Sequence, residues 1–77
     1  MKTFEESGIT CLDLHGVRHD DVNLEVIDFC LKYQEKLPLK IICGNSKRMI
    51  DICTNALDKY EFTYDQKRYG IINVIKI

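Results

Sequence analysis

Residues 9 to 14, Ile9-Thr10-Cys11-Leu12-Asp13-Leu14, form a short apolar run that breaks at His15-Gly16 and is soon followed by apolar residues at helical spacing. A switch of period from two to 3.6 within a few residues predicts a strand that leaves a sheet and a helix that packs back over it. Asp13 and His15 are two positions apart at the point of exit, so alternation along the strand predicts that both side chains point the same way. A carboxylate beside an imidazole, followed by a glycine, is a candidate reactive pair.

The next segment, from Asp20 or Asp21 to about Lys36, carries Val22, Val26, Phe29, Cys30, Tyr33 and Leu37 at the spacing of one helical stripe, widened by Leu24 and Ile27. Asp20 and Asp21 suit its cap and first turn, where a carboxylate meets free amides and the positive end of the dipole. Pro38 stops the helix and opens an extended run, Leu39 to Cys43. A second helix is predicted after Gly44-Asn45-Ser46, with Ser46 as N-cap and Met49, Ile50, Cys53, Ala56, Leu57 and Tyr60 on one face. Glu61 to Lys67 and Tyr69 to Ile77 then read as two strands joined by a tight connection at Lys67-Arg68, with Gly70 marking a bulge or the end of that turn.

Strand, helix, strand with short loops implies a parallel pair with a right-handed crossover, and the terminal hairpin adds antiparallel pairing. The expected fold is therefore α/β, or α+β: a two-layer sandwich of order βαβαββ, with a four-stranded mixed sheet and two helices on one face. Residues 1–8 are polar and expected to be a flexible N-terminal segment, leaving 9–77 as a single domain.

With 77 residues, 45% hydrophobic and 30% charged, the chain has room for one core and is expected to be a monomer or a weak homodimer. The net charge of −1 excludes a globally basic nucleic-acid binder, yet residues 1–38 carry four Lys/Arg against eight Asp/Glu and residues 39–77 carry seven against four. A local basic face in the second half is compatible with these numbers. Cys11, Cys30, Cys43 and Cys53 have no close-paired spacing, and Cys11, Cys30 and Cys53 read as reduced core thiols. No apolar run approaches the ~20 residues of a membrane span, so the expectation is a cytoplasmic protein without a membrane partner.

Ligands of open α/β sheets bind beyond the carboxyl ends of the parallel strands, which here means the loops Asp13 to Gly16 and Cys43 to Arg48. The second loop opens a helix whose amides attract an anion, and Lys47 and Arg48 add full charges in its first turn. Cations at that end are unfavourable for the helix itself, so their placement makes more sense with a phosphate in the site. Asp13 also fits a turn acceptor, His15 a hydrogen-bonded structural histidine, His19 a loop residue, and Lys67-Arg68 a solvated hairpin tip. A further reading makes Cys43 a nucleophile near His15, at a helix N-terminus that lowers thiol pKa. Asp13, His15 and Cys43 lack any diagnostic metal spacing, and no metal ligands are assigned.

The motif Leu12-Asp13-Leu14-His15-Gly16, the Asp21-Val22 pair beyond it and a strand ending in a glycine loop resemble the Smr (small MutS-related) domain over nearly the whole chain. The family pairs an LDLHG motif with a TGxG-type loop on a fold like the C-terminal domain of translation initiation factor three. Here Cys43-Gly44-Asn45-Ser46 stands in for that loop, with the basic residues following as Lys47 and Arg48. The resemblance implies nucleic-acid binding, DNA or RNA, with endonuclease activity by nicking or RNA cleavage. It implies His15 as general acid or base and Asp13 as its orienter or as holder of a divalent ion, magnesium or manganese. Gly44, Asn45 and Ser46 would receive the phosphate, with Lys47, Arg48 and Arg68 following the backbone. The alternative is a non-catalytic module that binds nucleic acid or a host protein. A domain this small standing alone is expected of a viral or mobile-element protein.

Overall fold

The computed structural model describes residues 2–77. Five strands and two helices follow one another as β1 (Thr3–Glu6), β2 (Ile9–Asp13), α1 (His19–Lys32), β3 (Leu39–Ile42), α2 (Lys47–Lys59), β4 (Thr63–Arg68) and β5 (Ile71–Lys76). The sheet is mixed, in the order β1-β2-β3-β5-β4, with β2 and β3 parallel and every other pair antiparallel. This is a compact α+β domain.

The sheet has five strands where four were expected. The extra one lies in the segment expected to be flexible, of which Met1 falls outside the described residues. Thr3 to Glu6 pair with Leu12 to Ile9 through a two-residue connection, Ser7-Gly8, in which both residues have positive φ (52° and 81°). That geometry matches the right-handed twist of a hairpin and favours glycine at the second position. The exposed carboxylates Glu5 and Glu6 suit an edge strand, since charge there discourages pairing with a further chain.

Alternation sorts the side chains. Leu12 and Leu14, Leu39 and Ile41, and Ile72 and Val74 are fully buried and meet Val22, Val26, Phe29 and Cys30 of α1 and Met49, Ile50, Cys53, Ala56 and Leu57 of α2 in one core. Their partners in the alternation, Lys40, Ile42, Ile71 and Asn73, are only partly covered. On that second face Cys11 is nevertheless fully buried. Register puts it beside Phe4 and Lys40, and the Lys40 Nζ to Glu6 Oε1 pair at 3.4 Å joins β3 to β1 across its strand.

Other differences have local causes. Helix α1 ends at Lys32, and Gln34–Lys36 tighten into one 3-10 turn, so Leu37 packs against the core from outside the helix. Leu24 is 74% exposed and does not widen the stripe, being two positions from Val22 and so on the far side of the helix. The N-cap of α1 is Arg18, with no side-chain bond, while Asp20 and Asp21 occupy the first turn. At α2 the expected cap is present, since Ser46 Oγ accepts from Met49 N at 3.2 Å. Ser46→Ala is expected to cost ~1 kcal/mol, read as a lower urea midpoint at unchanged slope.

Candidate site at the carboxyl end of the parallel strands

Strands β2 and β3 are neighbours, with Asp13 opposite Ile42. Leu14 N donates to Ile42 O at 3.0 Å, carrying the pairing one residue past the strand end. Both loops that follow therefore start from the same end of the sheet. Arg48 Nε donates to His19 Nδ1 at 3.3 Å, so the first turns of α2 and α1 also meet there. A third element joins them. Cys43 N donates to Gly70 O at 2.7 Å, and the backbones of Gly70 and Gly44 lie so close that a β-carbon at position 70 would collide with the Gly44 carbonyl.

These contacts bring the sequence-predicted residues to one end of the molecule: Asp13 and His15 on the first loop, Gly44, Asn45, Ser46, Lys47 and Arg48 on the second, and Arg68 beside the hairpin tip. His15, Gly44, Asn45, Lys47, Arg48 and Arg68 are exposed, while Asp13 and Ser46 are partly covered. The surface is open, so an extended polymer can reach it without a channel. Two grooves lie elsewhere, on the outer sides of the helices, one lined by Leu24, Ile27, Leu31 and Tyr60 and the other by Ile52, Asn55, Ala56 and Lys59.

The Asp13–His15 relation differs from the expected one. Strand β2 ends at Asp13, and the chain then turns, with Val17 N donating to Leu14 O at 3.0 Å and Gly16 at φ 81°. Asp13 Oδ1 accepts from the backbone N of His15 at 2.9 Å, an Asx-type bond that stabilises this turn. Among the described residues the imidazole has no hydrogen-bond partner. His15 lies in this turn and not in the strand, so strand alternation does not fix the direction of its side chain.

Lys47 Nζ is held by Asp51 one helical turn on, at 3.1 Å, whereas Arg48 reaches across to His19. His19, read from sequence as a loop residue, is the first residue of α1. The signal for an earlier start was the acidic pair Asp20-Asp21, which sits within the first turn and not at its cap. The hairpin tip is Tyr69-Gly70, and Lys67 and Arg68 belong to β4. The glycine was the better marker of the turn, because Gly70 sits at φ 82°.

Cys43 is buried in the core and not presented to the loops. Its thiol hydrogen-bonds with that of Cys53, which lowers the Cys43 pKa against the opposing effect of burial and raises that of Cys53, with burial adding to the rise. Burial alone pushes Cys30 up to about 12. All four cysteines are free. Among the described residues no group of three or more His, Cys, Asp or Glu side chains is placed to hold a metal ion, and no helix is long and apolar enough to cross a membrane.

Comparison with protein families, with curated proteins and with solved structures finds no match to this chain.

Proposed function

We propose that this chain is a nucleic-acid-binding domain of the Smr kind, on a fold related to the C-terminal domain of translation initiation factor three, and that it cleaves the phosphodiester backbone it binds. The observation that carries the reading is the meeting of three elements at one end of the sheet: the loop with His15, the glycine loop at the N-terminus of α2 with Arg48, and the hairpin flanked by Arg68. In this reading the free amides of the first turn of α2 and the loop before it receive a phosphate, and Arg48 and Arg68 neutralise its neighbours. As water, or in RNA the adjacent 2′-hydroxyl, attacks the phosphorus and the P–O bond to the leaving oxygen breaks, His15, exposed and without a protein partner, takes the proton of the attacking oxygen or gives one to the leaving oxygen. Asp13 is a positioning residue, because its bond to the His15 amide fixes the turn that presents the imidazole. The four free thiols suit a reducing compartment, and we place the protein in the cytoplasm.

The test is direct. Labelled supercoiled DNA, single-stranded DNA and RNA are incubated with the protein, with and without magnesium or manganese, and scored for nicks and shortened strands. The expected result is cleavage of at least one substrate. Failure to retain any of them at low salt would end the nucleic-acid reading.

A second reading, a binding module without hydrolysis, has one observation in its favour. The Asp13 carboxylate bonds to a backbone amide, leaving the imidazole without an acidic partner. Retention of an oligonucleotide with no cut product under any ion condition would select it.

The two basic residues of α2 are not equivalent. Arg48→Ala is expected to weaken oligonucleotide binding and to lower the slope of log affinity against log salt by ~1. Lys47→Ala, removing a charge already paired with Asp51, is expected to change both less. Salt titrations of the two variants compare them.

A further inference from the structure

The turn that seats the hairpin on the glycine loop also carries the most exposed aromatic ring of the described residues. Tyr69 is 60% exposed, and among those residues it makes no hydrogen bond and pairs with no other ring, whereas exposed Tyr60 lies against Phe62 with centroids 5.9 Å apart. Its backbone is well anchored. Arg68 pairs with Ile71 on either side of the two-residue tip, Cys43 N bonds to Gly70 O, and Gly70 abuts Gly44. The ring is thus presented on a short turn fixed to the candidate phosphate loop, with the cations Lys67 and Arg68 immediately before it in the chain.

We propose that Tyr69 is a stacking platform for a nucleobase, and that the substrate of this site is therefore unpaired, single-stranded nucleic acid. The inference rests on the nucleic-acid reading and deepens it. A flat ring beside a phosphate-binding loop contributes through the face of a base, and that face is accessible only where the base is not stacked within a duplex. Each base has such a face, so the contact selects strandedness without selecting sequence. The backbone cations alone make no such distinction, because they read phosphates common to single and double strands.

The test uses fluorescein-labelled oligothymidylate, oligouridylate and a DNA duplex of equal length, with binding followed by anisotropy at low salt. Tyr69→Phe, which keeps the ring, is expected to bind the single strands within about twofold of the parent. Tyr69→Ala is expected to lose roughly tenfold on single strands, DNA or RNA, with the duplex unaffected. Because the chain has no tryptophan, Tyr69→Trp supplies a single indole whose emission is expected to be quenched as either oligonucleotide saturates. The proposal is overturned if Tyr69→Ala binds single strands like the parent, if it loses duplex binding equally, or if the indole is indifferent to bound oligonucleotide. In each of those cases the nucleic-acid reading stands. If the parent binds none of the three probes, both fall together.

Discussion

His15→Ala is expected to reduce phosphodiester cleavage by ~10²- to 10⁴-fold, the range a positioned acid or base contributes, while oligonucleotide affinity stays within about twofold. The separation follows from where the side chain is. His15 is exposed at the centre of a turn whose hydrogen bonds are made by backbone atoms and by Asp13, so removing the imidazole leaves the turn and the α2 phosphate loop in place. Two substitutions at Asp13 make the assignment sharper. Asp13→Asn keeps an oxygen able to accept from the His15 amide, whereas Asp13→Ala leaves that amide without its partner. If Asp13 acts by positioning, the asparagine variant retains most of the activity and the alanine variant loses much of it. If the negative charge itself is needed, as orienter of the imidazole or as ligand of a divalent ion, both lose it. Equal cleavage by His15→Ala and the parent removes His15 from the chemistry.

The difference between what was and was not legible in the chain has physical causes. Helix α2 could be read closely because its start is set by a local bond, Ser46 to Met49 N, and its face by five apolar residues at regular spacing. The parallel pair was implied by the strand–helix–strand order, and with it the adjacency of the two loops. Strand β1 was missed because an edge strand is held chiefly by backbone hydrogen bonds, which leave little mark on composition. Its trace was the Ser7-Gly8 dipeptide, a hairpin signal that polar surroundings obscured. Two features of the site depend on tertiary contact and could not be read from any local window: the Arg48–His19 bond, spanning 29 residues, and the packing of Gly70 against Gly44. The candidate site was legible as two loops with Arg68 beside them, while the contact that fixes the hairpin to the glycine loop was not.

Gly70→Ala is expected to be the most damaging glycine substitution in the chain, costing ~2–4 kcal/mol, as a left-handed backbone and a collision act together. Gly8 and Gly16 share the positive φ, at 81° each, but a β-carbon at either meets nothing within 4 Å. Their alanine variants should therefore cost only ~1–2 kcal/mol of backbone strain. At position 70 the new carbon is driven into the Gly44 carbonyl, which is backbone and has no rotamer to escape through. Relief requires the hairpin tip to move away from the glycine loop, stretching the Cys43 N to Gly70 O bond. In a domain whose total stability is expected to be ~5 kcal/mol, such a loss leaves only ~1–3 kcal/mol. Urea titrations of Gly8→Ala, Gly16→Ala and Gly70→Ala measure the order. The same displacement separates Arg68 and Tyr69 from the α2 loop, so Gly70→Ala protein that remains folded in the cold should also bind oligonucleotide more weakly than Gly8→Ala, whose turn lies between β1 and β2. A Gly70→Ala midpoint no lower than that of Gly8→Ala would show that the hairpin tip is not held against the glycine loop, and the third element of the site would have to be given up.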